Sequence, residues 1–321
     1  MKFKQFALTS LACLSTLALV ACGSNSSSKN EETISVGIIQ YAEHDALSSS
    51  RKGFLEALEK GGYVEGENLK VDLQNSQGDQ ANLQTMVDQL AGKNDLNFAI
   101  ATPAAQALLN VDQETPAVFT AVTDPVSAGL VDSLEKPGGN MTGSIDATDV
   151  KGQVDMLVKV VPEAKTIGIF YNSSEVNSEV QAKEAQKALE ALGKTVVIKT
   201  VTSTNDVQQV MTSLANQVDA IYLPTDNTVA STASTIGEIL KDKKVPAIGS
   251  DEAVLEAVLF TYGVDYHAIG VQAGELALEI LDGKDPADLS VQKPETAAIA
   301  VNQEMAKALG IEAETIQKLT K

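Results

Sequence analysis

Residues 34–60 read ISVGIIQYAEHDALSSSRKGFLEALEK, and this stretch decides the fold. Ile34 to Ile39 is a short, β-branched apolar run, expected as a buried strand, while Phe54, Leu55 and Leu58 recur at helical spacing. The polar Gln40, Tyr41, Glu43 and His44 lie between the two. The same order repeats downstream. Further apolar runs stand at Leu69 to Leu73, Asn97 to Ala101, Ala117 to Ala121 and Met141 to Ile145, with a helical pattern at Leu83, Val87 and Leu90. Strands alternating with helices imply a parallel sheet covered on both faces.

After Ile145 the chain starts again. A helix from about Val150 to Val160 ends before Pro162, and a second series of strands follows at Thr166 to Tyr171, Lys194 to Val201, Asp219 to Leu223, Val245 to Ile248 and Val258 to Tyr262. Helical stretches separate them near Glu175 to Leu192, Asp206 to Gln217 and Asn227 to Lys241. The reading is α/β: two Rossmann-like lobes with parallel sheets, five strands each. One helix, Ile269 to Leu281, and one strand, Ala297 to Val301, are left over. Two lobes exchange such elements when the chain crosses between them more than once, so a multi-stranded hinge is expected near Asp146 to Thr148, Gly263 to Tyr266 and Asp288 to Gln292. The boundaries follow: 33–147 plus 266–288 for the first lobe, 148–265 plus 289–321 for the second.

The opening of the chain is of another kind. Lys2 and Lys4 precede an apolar run from Phe6 to Val20, then Leu19-Val20-Ala21-Cys22-Gly23 and a Ser/Asn-rich stretch to Asn30. A charged start, a short apolar core and small residues before a cut describe an export signal over 1–21, too short for a settled transmembrane helix. Leu19 to Cys22 resembles the bacterial lipoprotein box, which implies acylation of Cys22, a disordered tether over 22–32, and a protein held on the extracytoplasmic face of the cell membrane. One diacyl-type anchor is adequate for that, where a single chain is marginal.

Composition excludes several functions. Cys13 lies in the expected leader and Cys22 would carry lipid, leaving no thiol for a disulfide, redox pair or thiolate metal site. The net charge is −19, and loss of Lys2 and Lys4 takes it to −21, which argues against nucleic acid or anionic lipid as a partner. Two histidines make a structural zinc site a poor expectation, and no glycine-punctuated acidic loop offers a calcium site. Gly193-Lys194-Thr195 has the end of a phosphate loop but falls between a helix and the next strand, the reverse of the order phosphate binding requires. Gly249-Ser250-Asp251 lacks the second glycine of a nucleophile elbow. No residue set argues for an enzyme, a cofactor or a metal.

Polar chemistry collects instead at the carboxyl ends of the strands, where open α/β sheets bind ligands. Tyr41, Glu43 and His44 follow the first strand, Thr102, Ala104 and Ala105 the third, Thr123 and Asp124 the fourth; the second lobe offers Asn172, Asp226, Asn227 and Asp251. Asp124, Asp226 and Asp251 each stand before a helical stretch, where aspartate caps the backbone as readily as it meets a ligand. His44 reads as a loop or cap residue rather than a catalyst. Together these groups line corresponding edges of two lobes. A cleft between them would offer helix N-termini to a carboxylate and aspartates to an ammonium, a pairing that fits a zwitterion.

Several stretches resemble a known family: Glu43-His44 with Arg51-Lys52-Gly53-Phe54, Ala101-Thr102-Pro103-Ala104-Ala105-Gln106, Phe119-Thr120-Ala121-Val122-Thr123-Asp124-Pro125, Asn140-Met141-Thr142-Gly143, Leu223-Pro224-Thr225-Asp226-Asn227, Gly263-Val264-Asp265-Tyr266 and Gly270. They are similar to the substrate-binding lipoproteins of an ABC importer family for tryptophan and other aromatic amino acids. The resemblance covers nearly the whole chain after the leader. It implies the type I periplasmic-binding-protein fold, a monomer, an amino acid trapped between closing lobes, and delivery to a permease with its ATPase subunit. Thr102 and the amides of Ala104 and Ala105 would receive the carboxylate, Asp226, Asp251 or Asp124 the ammonium, and Tyr41 would stack on the ring. One departure is visible. Where the family usually has a small Gly-Ala pair, this chain has Ala257-Val258 and then Leu259-Phe260.

Tryptophan is absent from all 321 residues. It is the rarest residue, yet a protein needed when tryptophan is scarce gains by requiring none, so the absence favours tryptophan as cargo. The alternatives are a branched-chain amino acid or a sugar in the same fold, or a surface enzyme or sensory subunit.

Overall fold

The computed structural model describes residues 33–295 and 297–319. The expected leader and the whole of the tether, Cys22 included, lie outside them. Among the described residues no helix is long and apolar enough to cross a membrane.

In the first lobe, β1 (Ile34–Gln40), α1 (Asp45–Lys60), β2 (Leu69–Asn75), α2 (Gln80–Leu90), β3 (Leu96–Ile100), α3 (Thr102–Val111), β4 (Ala117–Val122) and β5 (Met141–Ile145) follow one another. Their sheet is fully parallel, in the order β2-β1-β3-β4-β5. β3, β4 and β5 are buried along their whole length, as continuous apolar runs require between two helix layers. The second lobe holds α4 (Val150–Val160), β6 (Thr166–Asn172), α5 (Val176–Ala191), β7 (Thr195–Val201), α6 (Val207–Ala215), β8 (Ala220–Leu223), α7 (Asn227–Ser231), α8 (Ala233–Lys243), β9 (Ala247–Gly249) and β10 (Phe260–Val264).

The two leftover elements part company. α9 (Tyr266–Leu281) returns to the first lobe, whereas β11 (Ala297–Val301) pairs antiparallel with β10, making the second sheet six-stranded in the order β11-β10-β9-β8-β6-β7. α10 (Gln303–Leu309) and α11 (Ala313–Gln317) close the second lobe, where Met305 and Ile316 join the core. The third passage between lobes lies later than the expected boundary at 288. Leu289 to Gln292 still runs along β5: Thr142 Oγ1 donates to Leu289 O at 2.7 Å, Ile145 N to Gln292 O at 3.0 Å, and Gln292 N to Gly143 O at 2.8 Å. Val291 is accordingly buried in the first core.

α9 lies on α1 at unusually close range, and glycine makes this possible. A Cβ at Gly53 would collide with the His267 carbonyl, and one at Gly270 with the Ser50 carbonyl. The bulky Leu259 and Phe260 that mark the departure from the family pattern are fully buried in the second core, away from the cleft.

Two non-glycine residues at strand ends hold positive φ. Ala101, after β3, has φ +83° and ψ 153°, and Ala121, at a register shift in β4, has φ +54°. The Ala101 conformation is one that essentially only glycine adopts, at a cost of roughly 1–3 kcal/mol. Ala101→Gly relieves that strain and gives back part of it as unfolded-chain entropy. The expected result is a net gain of about 1 kcal/mol, read as a higher denaturant midpoint at unchanged slope; a lower midpoint would show that the site is unstrained.

Candidate functional site

The carboxyl ends of both parallel sheets face one another across a cleft, because every β-to-α turn in a right-handed parallel sheet emerges on that edge. From the first lobe and the crossing segments come His44, Leu47, Ala121, Asp146 and Tyr266; from the second come Asn177, Thr225, Asp226, Asn227, Ala230 and Asp251. The lobes are in contact here, with His44 Nε2 lying 3.2 Å from Asn227 Oδ1.

Among the lining residues are three aspartates and no lysine or arginine. Burial raises the Asp146 carboxyl, against the pull of the Thr123 and Tyr266 hydroxyls; Tyr266 donates to Asp146 Oδ2 at 2.9 Å. Burial, then Asp146, pushes Asp251 up to about 7, although Asp251 Oδ1 accepts from Ala253 N at 2.9 Å. Asp226 is raised by burial despite accepting from Asn172 N at 2.7 Å and Val229 N at 2.8 Å. A desolvated carboxylate with no cation nearby reverts toward the neutral acid. Three of them line one cleft, and no lining residue there is a lysine or arginine.

Orphaned polar atoms point the same way. Among the described residues, five buried side-chain atoms lack a hydrogen-bond partner, and three of them belong to the cleft lining: His44 Nδ1, Asp146 Oδ1 and Asn177 Oδ1. Such atoms are rare in folded proteins and each calls for a partner. No group of three or more His, Cys, Asp or Glu among the described residues could hold a metal ion.

The sequence-expected residues divide into three sets. His44, Asp226, Asn227 and Asp251 come together in the cleft. His44 occupies the N-cap position of α1, but its side chain caps nothing and reaches across to Asn227 instead. Asp226 and Asp251 cap α7 and the turn at Glu252–Val254 while lining the cleft.

A second set, Thr123 among them, is buried near the cleft without lining it. The Tyr41 hydroxyl donates to Gly78 O at 3.2 Å, and its ring is packed in the first core; the aromatic side chain that lines the cleft is Tyr266. Asn172 spends its amide on Thr228 Oγ1, at 2.8 Å, and accepts from Ser174 N, at 2.8 Å. Thr102 keeps an unpartnered hydroxyl at the first turn of α3. Of the two alanine amides expected to receive a carboxylate, Ala105 donates to Ala101 O at 3.1 Å within the helix and is not open; Ala104 stands in the first turn, where N–H groups lack helical partners.

A third set turns away. Glu43 is exposed and holds Ser48 and Asn75, and Asp124 accepts from Ser127 N at 2.9 Å as a turn cap.

Sequence reasoning missed Asn177, Tyr266 and Asp146 as lining residues, although it placed the last two at the hinge. It also missed Glu175, fully buried at the start of α5. That carboxylate receives Asn227 N at 3.1 Å, Asn227 Nδ2 at 2.6 Å, Thr228 N at 3.2 Å and Thr228 Oγ1 at 3.3 Å, and so ties the loop after β8 to the loop after β6. Burial and the facing Asp226 hold it above the usual carboxylate range, against those four bonds.

Two α/β lobes, a triple crossing and a charged cleft between sheet edges define a ligand-trapping binding protein of the type I periplasmic-binding-protein fold. The chain belongs to the family described as ABC transporter substrate binding protein, whose model matches residues 35–320. It is 39% identical over 297 residues to the tyrosine-binding protein of Clostridioides difficile strain R20291, covering 90% of this chain and 86% of that one. A Streptococcus pneumoniae ABC domain solved in complex with L-Trp superposes with TM-score 0.85 at 37% identity, covering 89% of this chain and 98% of that one. A ligand-free, open substrate binding protein with adhesive properties from Clostridium difficile superposes with TM-score 0.66 at 42% identity, covering 87% and 95%. The open form superposes less well despite its higher identity, and in this chain His44 meets Asn227 across the cleft.

Proposed function

We propose that this protein captures an aromatic amino acid, L-tryptophan in the first instance, between its lobes and delivers it to an ABC permease and ATPase on the cell membrane. The observation that carries the reading is the cleft itself: three buried aspartates with no lining cation, and orphaned acceptors beside them. An α-ammonium supplies the missing charge and several N–H donors, while Tyr266, Leu47, Ala121 and Ala230 give an apolar wall for a ring. The L-Trp complex among the similar structures supports tryptophan, and the tyrosine-binding relative makes L-tyrosine the second reading.

The chain contains no tryptophan, so added L-tryptophan is the only indole in solution. Its entry into the cleft is expected to shift its emission to the blue and raise its anisotropy, and a hundredfold excess over Kd to add about 2.7 kcal/mol of stability. Leucine and glucose are expected to do neither. Stabilisation by leucine, with tryptophan and tyrosine inert, would replace the aromatic reading with the branched-chain one.

The lipoprotein box supports attachment through an acylated Cys22 on the extracytoplasmic face, with the protein acting as a monomer. Cys22→Ser is expected to leave the protein uncleaved or released, and a variant still processed and membrane-bound would remove the anchor from the proposal.

A further inference from the structure

The orphaned Nδ1 of His44 stands at the end of a fixed chain of hydrogen bonds. Asn172 Nδ2 donates to Thr228 Oγ1, whose hydroxyl donates to Glu175 Oε1, and Glu175 Oε2 receives both the backbone N–H and the side-chain amide of Asn227. Each donor in this chain has one acceptor to satisfy. With its nitrogen turned to Glu175, Asn227 presents its oxygen to the first lobe, and that oxygen meets His44 Nε2 at 3.2 Å. An amide oxygen only accepts, so Nε2 carries the proton of the neutral ring and Nδ1 is left as a bare acceptor. Burial lowers the basicity of His44, which keeps the ring in that neutral form.

We infer that His44 is a specificity-determining residue whose Nδ1 accepts a hydrogen bond from the side chain of the bound amino acid, the indole N–H of tryptophan or the phenol O–H of tyrosine. The inference rests on the aromatic reading above and sharpens it. The ligand's ammonium has the three cleft aspartates for partners, and an uncharged imidazole acceptor suits an uncharged ring donor better. A ligand whose ring carries no donor leaves Nδ1 buried and unpaired, and a site built to receive a hydrogen bond rejects the analogue that lacks it. Glu175 acts through Asn227 as a positioning residue, since it sets which atom of the amide His44 meets.

The test pairs ligands of equal shape. L-tryptophan is titrated against 3-(3-benzothienyl)-L-alanine, in which sulfur replaces the indole N–H, and L-tyrosine against L-phenylalanine, on the wild-type chain and on His44→Leu. The wild type is expected to prefer the ring-donor member of at least one pair by about tenfold or more, and His44→Leu to bind both members of that pair within about twofold. Equal binding by the wild type, or a preference that survives in His44→Leu, overturns the role of His44 while leaving the aromatic reading intact. Binding of leucine with none of the four aromatic ligands overturns the aromatic reading and the inference with it. A measurement without any variant stands beside these. The chain has two histidines, and in ¹⁵N spectra the His44 Nδ1 resonance is expected to move toward the hydrogen-bonded range with the ring-donor ligand and not with its partner. An unmoved Nδ1 resonance at saturation overturns the inference.

Discussion

Asp146→Asn is expected to make the unliganded protein more stable and the liganded one weaker. The carboxyl is wholly buried, its Oδ1 has no partner, and burial raises it well out of the ordinary range, so its charge opposes folding when the cleft is empty. Asparagine keeps an oxygen for the Tyr266 hydroxyl and carries no charge to desolvate. At neutral pH the unliganded variant is expected to gain about 1 kcal/mol, a rise in Tm of about 2 °C or more for a chain of this size. The same change removes an anionic acceptor from the ammonium and is expected to cost about 2 kcal/mol in binding, a loss of roughly thirtyfold in Kd. Opposite signs identify a residue kept for its ligand. Losses in both scanning calorimetry and titration calorimetry would make Asp146 a structural support of the hinge.

The pH response carries the second large effect. Burial, then the neighbouring Asp146, holds the Asp251 carboxyl at about 7 in the fold, well above the ordinary aspartate value. Below about pH 4 the folded and unfolded chains both hold this proton. Between about 4 and 7 only the folded chain does, so each rise in pH works against folding, and above about 7 the penalty is complete. Asp146 and Asp226, both raised by burial, act in the same direction. The unliganded protein is therefore expected to be more stable at pH 5 than at pH 8. Binding runs the other way, because the arriving ammonium favours the ionised carboxylates and expels protons. Affinity is expected to strengthen by up to about tenfold per pH unit between about 5 and 7, with proton release in calorimetry across buffers of different ionisation enthalpy. Asp251→Asn is expected to flatten both profiles. A wild-type affinity constant from pH 5 to 8 would mean that the ligand meets no titrating carboxylate.

The architecture was legible because strand and helix periods alternate cleanly and the central strands are continuous apolar runs, so Ile34 to Ile39 and its successors could be placed from pattern alone. The site was legible only as far as the edge of the sheets. His44, Asp226, Asn227 and Asp251 lie two to four residues past a strand and fall in the cleft; Glu43 and Asp124 lie equally close to a strand and do not, because they turn back to Ser48 and Ser127. Which way a loop side chain turns is settled by partners distant in sequence. Glu175 shows this most clearly: it looks like an ordinary acidic helix start until residues 227 and 228, some fifty positions on, bring it four donors. The Asp146 and Tyr266 pair, 120 residues apart, could not be seen as one unit without the fold.

The contact of α1 with α9 bears on how the chain is made. The face of α1 holding Ser50, Gly53 and Ala57 is covered by a helix that begins at Tyr266, long after β5 has closed the first sheet at Ile145. At a synthesis rate of about 5–20 residues per second, the ribosome needs on the order of ten seconds to cover that interval. Throughout it the first lobe has its sheet but not its lid, and an apolar helix face stands open. The second lobe has all its parallel strands by Val264 but still waits for β11, α10 and α11, so neither half of the molecule reaches its final packing until the last stretch of chain has been made.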